Sequence, residues 1–529
     1  MSFFTVGSFL FFTGMVAVIS YLVTRKEDLA TQDGYFLGGR SLGAWVIAGS
    51  LMLTNLSTEQ LIGLNAQGYS DTIAVMGWEV GSAISLVIVA FFLLPRYLKG
   101  GITTIPDFLE ERYDFGTKQI VTILFLFGYV FNLLPPILYS GAVALNGLFN
   151  IPETLGLSRM ASLYVTVFAI GIIGAIYAIF GGLKAVAVSD TINGIGLLIG
   201  GLMIPIIGLY VLGDGSVFGG FNTIVENSPE KLNSVGDENS PVPFGTMFTG
   251  MLLVNLFYWG TAQHIMQRAI AAKNLKEGQK GVLIAAFLKL LGPVFLILPG
   301  IIAFNMFGPG LEPTDAYPML VNEVLPKPLV GFFAAVLFGA ILSSFNSALN
   351  SSVTLIALNI YKPYFNPKAP DNVVVRKGKF VGIILAIFAM CIAPLIDKVP
   401  QGFFQYLQIV NGFYNVPIFT ILIVGYLTKR VPSIAAKVSL FVFISVYATT
   451  QLVWDTGIHF LHILGILFVA CTILMLVIGK IAPRDKDFVL EENAQVDMSP
   501  WKLLYPVGIA ATVAMIVIYT LLSPIGIIS

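Results

Sequence analysis

The stretch Thr54-Asn55-Leu56-Ser57-Thr58-Glu59-Gln60 interrupts an apolar run at 41–64. A second, Asn255-Leu256-Phe257-Tyr258-Trp259-Gly260-Thr261-Ala262-Gln263, closes another apolar run at 244–263. Both contain Asn-Leu followed by Gln. In hydrocarbon a polar side chain is costly and marks a functional position by default. Backbone that leaves the helix there survives only where it lines a cavity or is covered by protein. Each stretch is therefore predicted to be a helix broken near the bilayer midplane, and two breaks in corresponding places define a fold.

The rest of the 529-residue chain supports a bilayer setting. Hydrophobic residues make up 56% and charged residues 11%, about half the charged share of a soluble globular protein. A spanning helix needs about 20 apolar residues. Runs at 4–23, 41–64, 72–94, 118–147, 158–180, 187–212, 244–263, 280–306, 328–358, 376–396, 402–427, 434–454, 459–479 and 503–526 predict an all-α integral membrane protein of about fourteen transmembrane helices. No basic residue precedes the first run, which is expected to be a retained helix rather than a signal peptide. Zero net charge argues against a nucleic-acid partner. Cys391 and Cys471 lie in apolar runs and the histidines are scattered, so neither a disulfide framework nor a metal cluster is expected.

Lys and Arg set the orientation. With the loop after the first helix cytoplasmic, only Arg159, Lys231, Lys327 and Lys398 of the 29 fall on the opposite side, and Lys289 lies within a helix. Both termini are then extracytoplasmic. Five helices over 41–212 and five over 244–427 form two blocks, and an odd number of crossings inverts one against the other, as in many secondary transporters. The expected organisation is a first helix and cytoplasmic loop at 1–40, a first repeat at 41–212 and an extracytoplasmic loop at 213–243. A second, inverted repeat at 244–427 and three additional helices at 428–529 complete it. The loop at 213–243 reads as a solvated surface, and 482–500 as a charged cytoplasmic linker.

Lys289 lies nine residues beyond Lys280, about 13 Å into its helix, too deep to reach water easily. Glu79 is its natural charge partner, or a hydrogen-bond acceptor for a solute hydroxyl; Ser82, at i+3, shares the face of Glu79. Gln60 offers donors and an acceptor suited to hydroxyls, while Glu59 points elsewhere and ties helices together. Ser343-Ser344 read first as small residues for helix packing, with cation ligation as the other reading. Asp190 stands at a helix start, either an ion exit step or an ordinary interfacial acid. His264, at the end of its helix, is given a structural role.

These residues resemble the sodium/solute symporter family. Asn55-Leu56-Ser57-Thr58-Glu59-Gln60-Leu61-Ile62-Gly63 is similar to its first broken helix. Asn255-Leu256-Phe257-Tyr258-Trp259, Gln267-Arg268, Ala271-Ala272-Lys273, Gln279-Lys280-Gly281, Ala286-Phe287-Leu288-Lys289-Leu290 and Leu298-Pro299-Gly300-Ile301 follow in order. The pattern, from Gly38 to about Arg430, is most like the bacterial sodium/galactose (sodium/glucose-type) symporters. The resemblance implies a leucine-transporter-like five-plus-five inverted repeat with flanking helices, in a plasma membrane that would be a bacterial inner membrane.

It also implies a solute site of Asn55, Gln60, Glu79, Ser82, Asn255, Tyr258, Lys289 and Gln408, with Gln405 in reserve and Tyr258 closing the inner side. It implies a Na⁺ site at the carbonyls of Leu53, Leu56 and Ala340 and the hydroxyls of Ser343 and Ser344, with Asp190 linked to Na⁺ release. Leu53, Thr54, Thr261 and Ala262 depart from the family's pattern, the last two beside the aromatic gate.

The resulting expectation is a Na⁺-coupled symporter, not an enzyme. It would import a small polyhydroxylated solute, such as the monosaccharides galactose or glucose, by alternating access in the lipid bilayer. A transporter of a sugar acid or other organic solute would need excess positive charge in the pocket. A non-transporting solute sensor would need a signalling domain, and an intramembrane enzyme a nucleophile–base pair or metal cluster; the sequence presents neither.

Overall fold

A computed structural model describes residues 3–24, 38–398, 403–494 and 496–526; the side chains of 3, 24, 38, 179–186, 398 and 403–406 lie outside the described set. Gln405 and Tyr406 therefore fall outside it. Among the described residues eleven helices are long and apolar enough to cross a membrane, and a twelfth if one bent pair counts as a single span. In chain order the elements that matter here are α1 (Phe4–Val23), α2 (Ala44–Asn55), α3 (Thr58–Ser70), α4 (Ile73–Lys99), α5 (Phe115–Phe149), α6 (Arg159–Ala178) and α7 (Ala187–Leu212), the last two being apolar stretches of one continuous helix, Arg159–Leu212, where two separate runs were expected. A short α8 (Val217–Asn227) follows, then α9 (Gly250–Gly260), α10 (Gln263–Ile270), α11 (Leu275–Leu290) and α12 (Gly292–Phe307). After α13 (Pro313–Val324) come α14 (Lys327–Phe365), α15 (Asp371–Asp397), α16 (Leu407–Leu427), α17 (Ser433–Leu452), α18 (Phe460–Ile481) and α19 (Leu504–Leu521). Fourteen crossings follow only if the split pairs α2–α3 and α9–α10 each count as one.

Both splits fall in the quoted stretches, but not at matching residues. Asn55 is the last residue of α2; Leu56 leaves the helix at ψ 69°, and Ser57 starts α3 by accepting a hydrogen bond from the Gln60 amide. In the second stretch Asn255 lies inside α9. The break there comes at Thr261 and Ala262, whose amides both bond to the Phe257 carbonyl at 2.7 and 2.9 Å. The common Asn-Leu therefore marks the break only in the first block.

The α11–α12 pair bends by 50° beside Lys289. Pro293 cannot donate an amide hydrogen and disrupts the ladder. Gly292 makes room: a Cβ there would lie 2.9 Å from the Glu79 side chain. At the centre, α2 packs against α7, α11 and α14. Gly281 lets α11 approach closely, since a Cβ would sit 2.7 Å from Ile47.

Two connections are more ordered than their charge suggests. In 213–243, α8 buries Ile224, and Lys231 is buried with its Nζ donating to the Tyr69 carbonyl at 2.7 Å and standing 4.2 Å from the Phe304 ring. Burial holds its amine below the usual lysine range. The cation sits at the C-terminal end of α3, where carbonyls lack helical partners. Lys231→Met is expected to cost about 1–3 kcal/mol, read as a lower Tm in detergent; an unchanged Tm would remove this capping role.

The linker at 482–500 lies across the helix ends. Arg484 N–H bonds to the Arg430 carbonyl, Phe488 N–H to Lys429, and Asn493 N–H to Lys99. Leu275 N–H bonds in turn to Asp497, and Arg484 Nη1 reaches the Arg112 carbonyl at 2.7 Å.

Candidate functional site

A cavity of about 120 Å³ opens at the breaks. Asn55, Gln60, Ser82, Asn255, Tyr258 and Gln408 line it, six of the predicted solute residues. Glu79 and Lys289 do not; they lie one layer behind, fully buried as an ion pair. Lys289 Nζ donates to Glu79 Oε2 and to Asn55 Oδ1, and lies 5.6 Å from the Trp259 ring centroid. The other Glu79 oxygen accepts from Gln60 Nε2 at 2.9 Å. The pair thus fixes Asn55 and Gln60 on either side of the first break, and its charges neutralise each other behind the lining; Glu59, expected to point elsewhere, lines the same cavity as Gln60 and leaves its Oε2 without a hydrogen bond among the described residues.

On the α4 and α9 side, Ser82 Oγ donates to the Trp78 carbonyl at 2.8 Å and lies 3.1 Å from Asn255 Oδ1. Asn255 Nδ2 is buried with no hydrogen-bond partner among the described residues. Opposite, Asn132 Nδ2 donates to Asn411 Oδ1 at 2.9 Å, and Asn411 Nδ2 to Gln408 Oε1 at 3.1 Å. Tyr258 packs edge-on against Trp259 and His264. His264 itself lines the cavity and bonds to the Tyr129 hydroxyl.

Trp78, Tyr129, Asn132, Phe257, Asn411 and Tyr414 are lining residues that sequence reasoning did not single out. Asn132 and Asn411 could have been found by the rule that marked Lys289, being polar side chains within apolar runs. The rings carried no such signal.

Below the first break, α2 meets α14. Ser344 Oγ donates to the Thr54 carbonyl at 3.3 Å, Thr54 Oγ1 lies 3.3 Å from Ser347 Oγ, and Ser347 donates to the Ser343 carbonyl at 2.6 Å. Leu53, Leu56 and Ala340 are buried around this contact. Asp190 is fully buried: its Oδ2 accepts from Ser50 Oγ at 2.8 Å and lies 3.9 Å from Arg268 Nη2. Arg268, equally buried, also donates to Ser50 Oγ, Ser347 Oγ and the His264 carbonyl. Ser343 Oγ and Asp190 Oδ1 are buried oxygens with no hydrogen bond among the described residues. Unsatisfied buried oxygens are the hard donors that Na⁺ prefers, and Ser343 is the predicted ligand that supplies one.

A profile of the Sodium:solute symporter family matches residues 35–442. Over 519 residues the chain is 49% identical to the uncharacterized symporter YidK of Escherichia coli, covering 98% of this chain and 91% of that one. It is 32% identical over 458 residues to a sodium/glucose cotransporter of Vibrio parahaemolyticus, covering 82% of each. Among solved structures, a substrate-bound, outward-open Na⁺-coupled sialic acid symporter superposes with a TM-score of 0.78 over 92% of this chain and 99% of that one, at 20% identity. At that identity the likeness speaks for the fold.

Proposed function

Because the chain belongs to the sodium:solute symporter family, we propose that it uses the Na⁺ gradient to import a small neutral polyhydroxylated solute, with galactose or glucose the first choices. Na⁺ coupling and a multi-pass membrane setting come with the family and the fold. The solute class rests on one observation: amides, hydroxyls, aromatic faces and the Glu59 carboxyl line the cavity, while Glu79 and Lys289 cancel behind it. Amides donate and accept at once, as sugar hydroxyls require. A carboxylate-bearing solute would find no unpaired cation on that wall. The named sugar cotransporter among the relatives supports the same choice.

On this reading each split helix crosses once. That gives about fourteen crossings, repeats at 41–212 and 244–427 in opposite orientation, and both termini outside a bacterial inner membrane. Na⁺ would sit where Ser343, Ser344 and the carbonyls of Leu53, Leu56 and Ala340 meet, tying α2 to α14. An ion shifts a conformational equilibrium only as far as it binds one state better, and a site shared by two separately moving helices has that property. The solute would then seat on Gln60, Asn255, Ser82 and Gln408, held by Asn55 and the buried pair. Tyr258 would gate its inner side, and Asp190 would receive the departing ion.

Uptake into proteoliposomes under an inward Na⁺ gradient, against a K⁺ gradient, tests the proposal. Na⁺-dependent accumulation of a neutral sugar is expected; accumulation of a sugar acid instead would overturn the solute class. Gln60→Ala and Gln408→Ala should each raise the half-saturating solute concentration about tenfold, equivalent to about 1.4 kcal/mol. Unchanged values in both would remove the site. Ser343→Ala should raise the half-saturating Na⁺ concentration about tenfold while leaving solute preference intact; an equal loss of uptake at every Na⁺ concentration would exclude it as a ligand.

A further inference from the structure

A second cavity, of about 340 Å³, meets the first at Asn255. Its walls come from Gly81 and Ile84 of α4, from Phe244 to Leu252 around the start of α9, and from Met515 to Thr520 at the end of α19. Met247, Met251 and Met515 supply flexible thioethers, which adapt to irregular apolar shapes. Met247 is seated against α4, where a Cβ on Gly77 would lie 2.8 Å from its sulfur and one on Gly81 2.9 Å from its methyl. Phe248 and Ile516 at the rim are 75% and 54% exposed. Ile516 lies on α19, and on a helix that crosses a bilayer an exposed Ile meets hydrocarbon, so this side of the cavity opens toward lipid. Its walls are mostly apolar, with Asn255, Tyr519 and Thr520 the polar exceptions.

We propose that this cavity takes one acyl chain of a membrane phospholipid. The chain is slender, flexible and apolar like the space, and it is the solvent at the rim. Asn255 gives the site its significance, because it lines both cavities. A chain resting on Met251 and Leu252 steadies the half-helix α9 that carries Asn255 and Tyr258 toward the polar cavity. The influence on transport rests on the symport reading; the binding itself does not.

Native mass spectrometry of detergent-purified protein titrated with dioleoylphosphatidylcholine tests this, comparing the natural chain with Met251→Phe and, should that variant fold poorly, Ile84→Phe. Each larger ring narrows the cavity at a different wall. The natural chain is expected to retain one more phospholipid than either variant, at lipid concentrations at least tenfold lower. Equal retention overturns the proposal, and so does retention of oleate with none of phospholipid. A thermal shift gives an independent reading: added phospholipid should raise the Tm of the natural chain more than that of the variants, and equal shifts overturn the assignment. Neither readout involves uptake, so a failed sugar assay leaves this result standing.

Discussion

Lys289→Met is expected to abolish solute uptake and to lower stability by about 3–5 kcal/mol, because it strands the Glu79 carboxylate without its counter-charge in a fully buried site. Removing both charges is a different experiment. Replacing a buried ion pair with neutral groups of similar volume is often close to neutral for stability, so Glu79→Gln with Lys289→Met should recover most of the lost Tm. It should not recover uptake. The pair positions Asn55 through Lys289 and Gln60 through Glu79, and the Met side chain offers Asn55 no donor. A double variant that regains both stability and uptake would reduce the pair to a lock between α4 and α11.

The second large effect is expected at Asp190. Asp190→Asn leaves the Arg268 guanidinium buried without an anion, 3.9 Å from the substituted side chain and bonded to the Ser347 hydroxyl beside the proposed Na⁺ ligands. An uncompensated cation repels a second cation strongly at low dielectric. The half-saturating Na⁺ concentration should rise about 100-fold, equivalent to roughly 2.7 kcal/mol. Adding Arg268→Gln to the same chain removes the stranded charge and should recover part of that loss. Unchanged Na⁺ dependence in Asp190→Asn would separate Asp190 from the ion path altogether.

Much of this was legible in the sequence because hydrocarbon is an unforgiving solvent. Helix limits follow from apolar run length, and the predicted run at 434–454 lies within two residues of α17 at each end. Lys289 and Glu79 stood out because no charge is placed at that depth without a partner, and they are partners. What escaped was what depth alone does not encode. Position along a helix does not say which side of a wall a residue occupies, so Glu79 and Lys289 were expected in contact with solute rather than behind Asn55 and Gln60. Charge density made 213–243 look solvated, although Lys231 buries its stem and finds the end of α3. The position of the second break was hidden because Asn255 imitates Asn55 in sequence but not in backbone. The ion pair of Asp190 was not legible because its partner, Arg268, lies 78 residues away in sequence and on another helix.

The segment at 482–500 has a mechanical meaning. It is fastened to the first block at Lys99 and Arg112, and to the second block or its immediate edge at Leu275, Lys429 and Arg430. If the blocks rock as separate bodies, this girdle must travel with one and let go of the other. Each bond contributes about 0.5–1.5 kcal/mol net, and several together match the few kcal/mol that separate alternating conformers. On that reading the girdle would act as a spring across the hinge, setting the ratio of the two poses at rest and, through it, the cycling speed, without touching ion or solute.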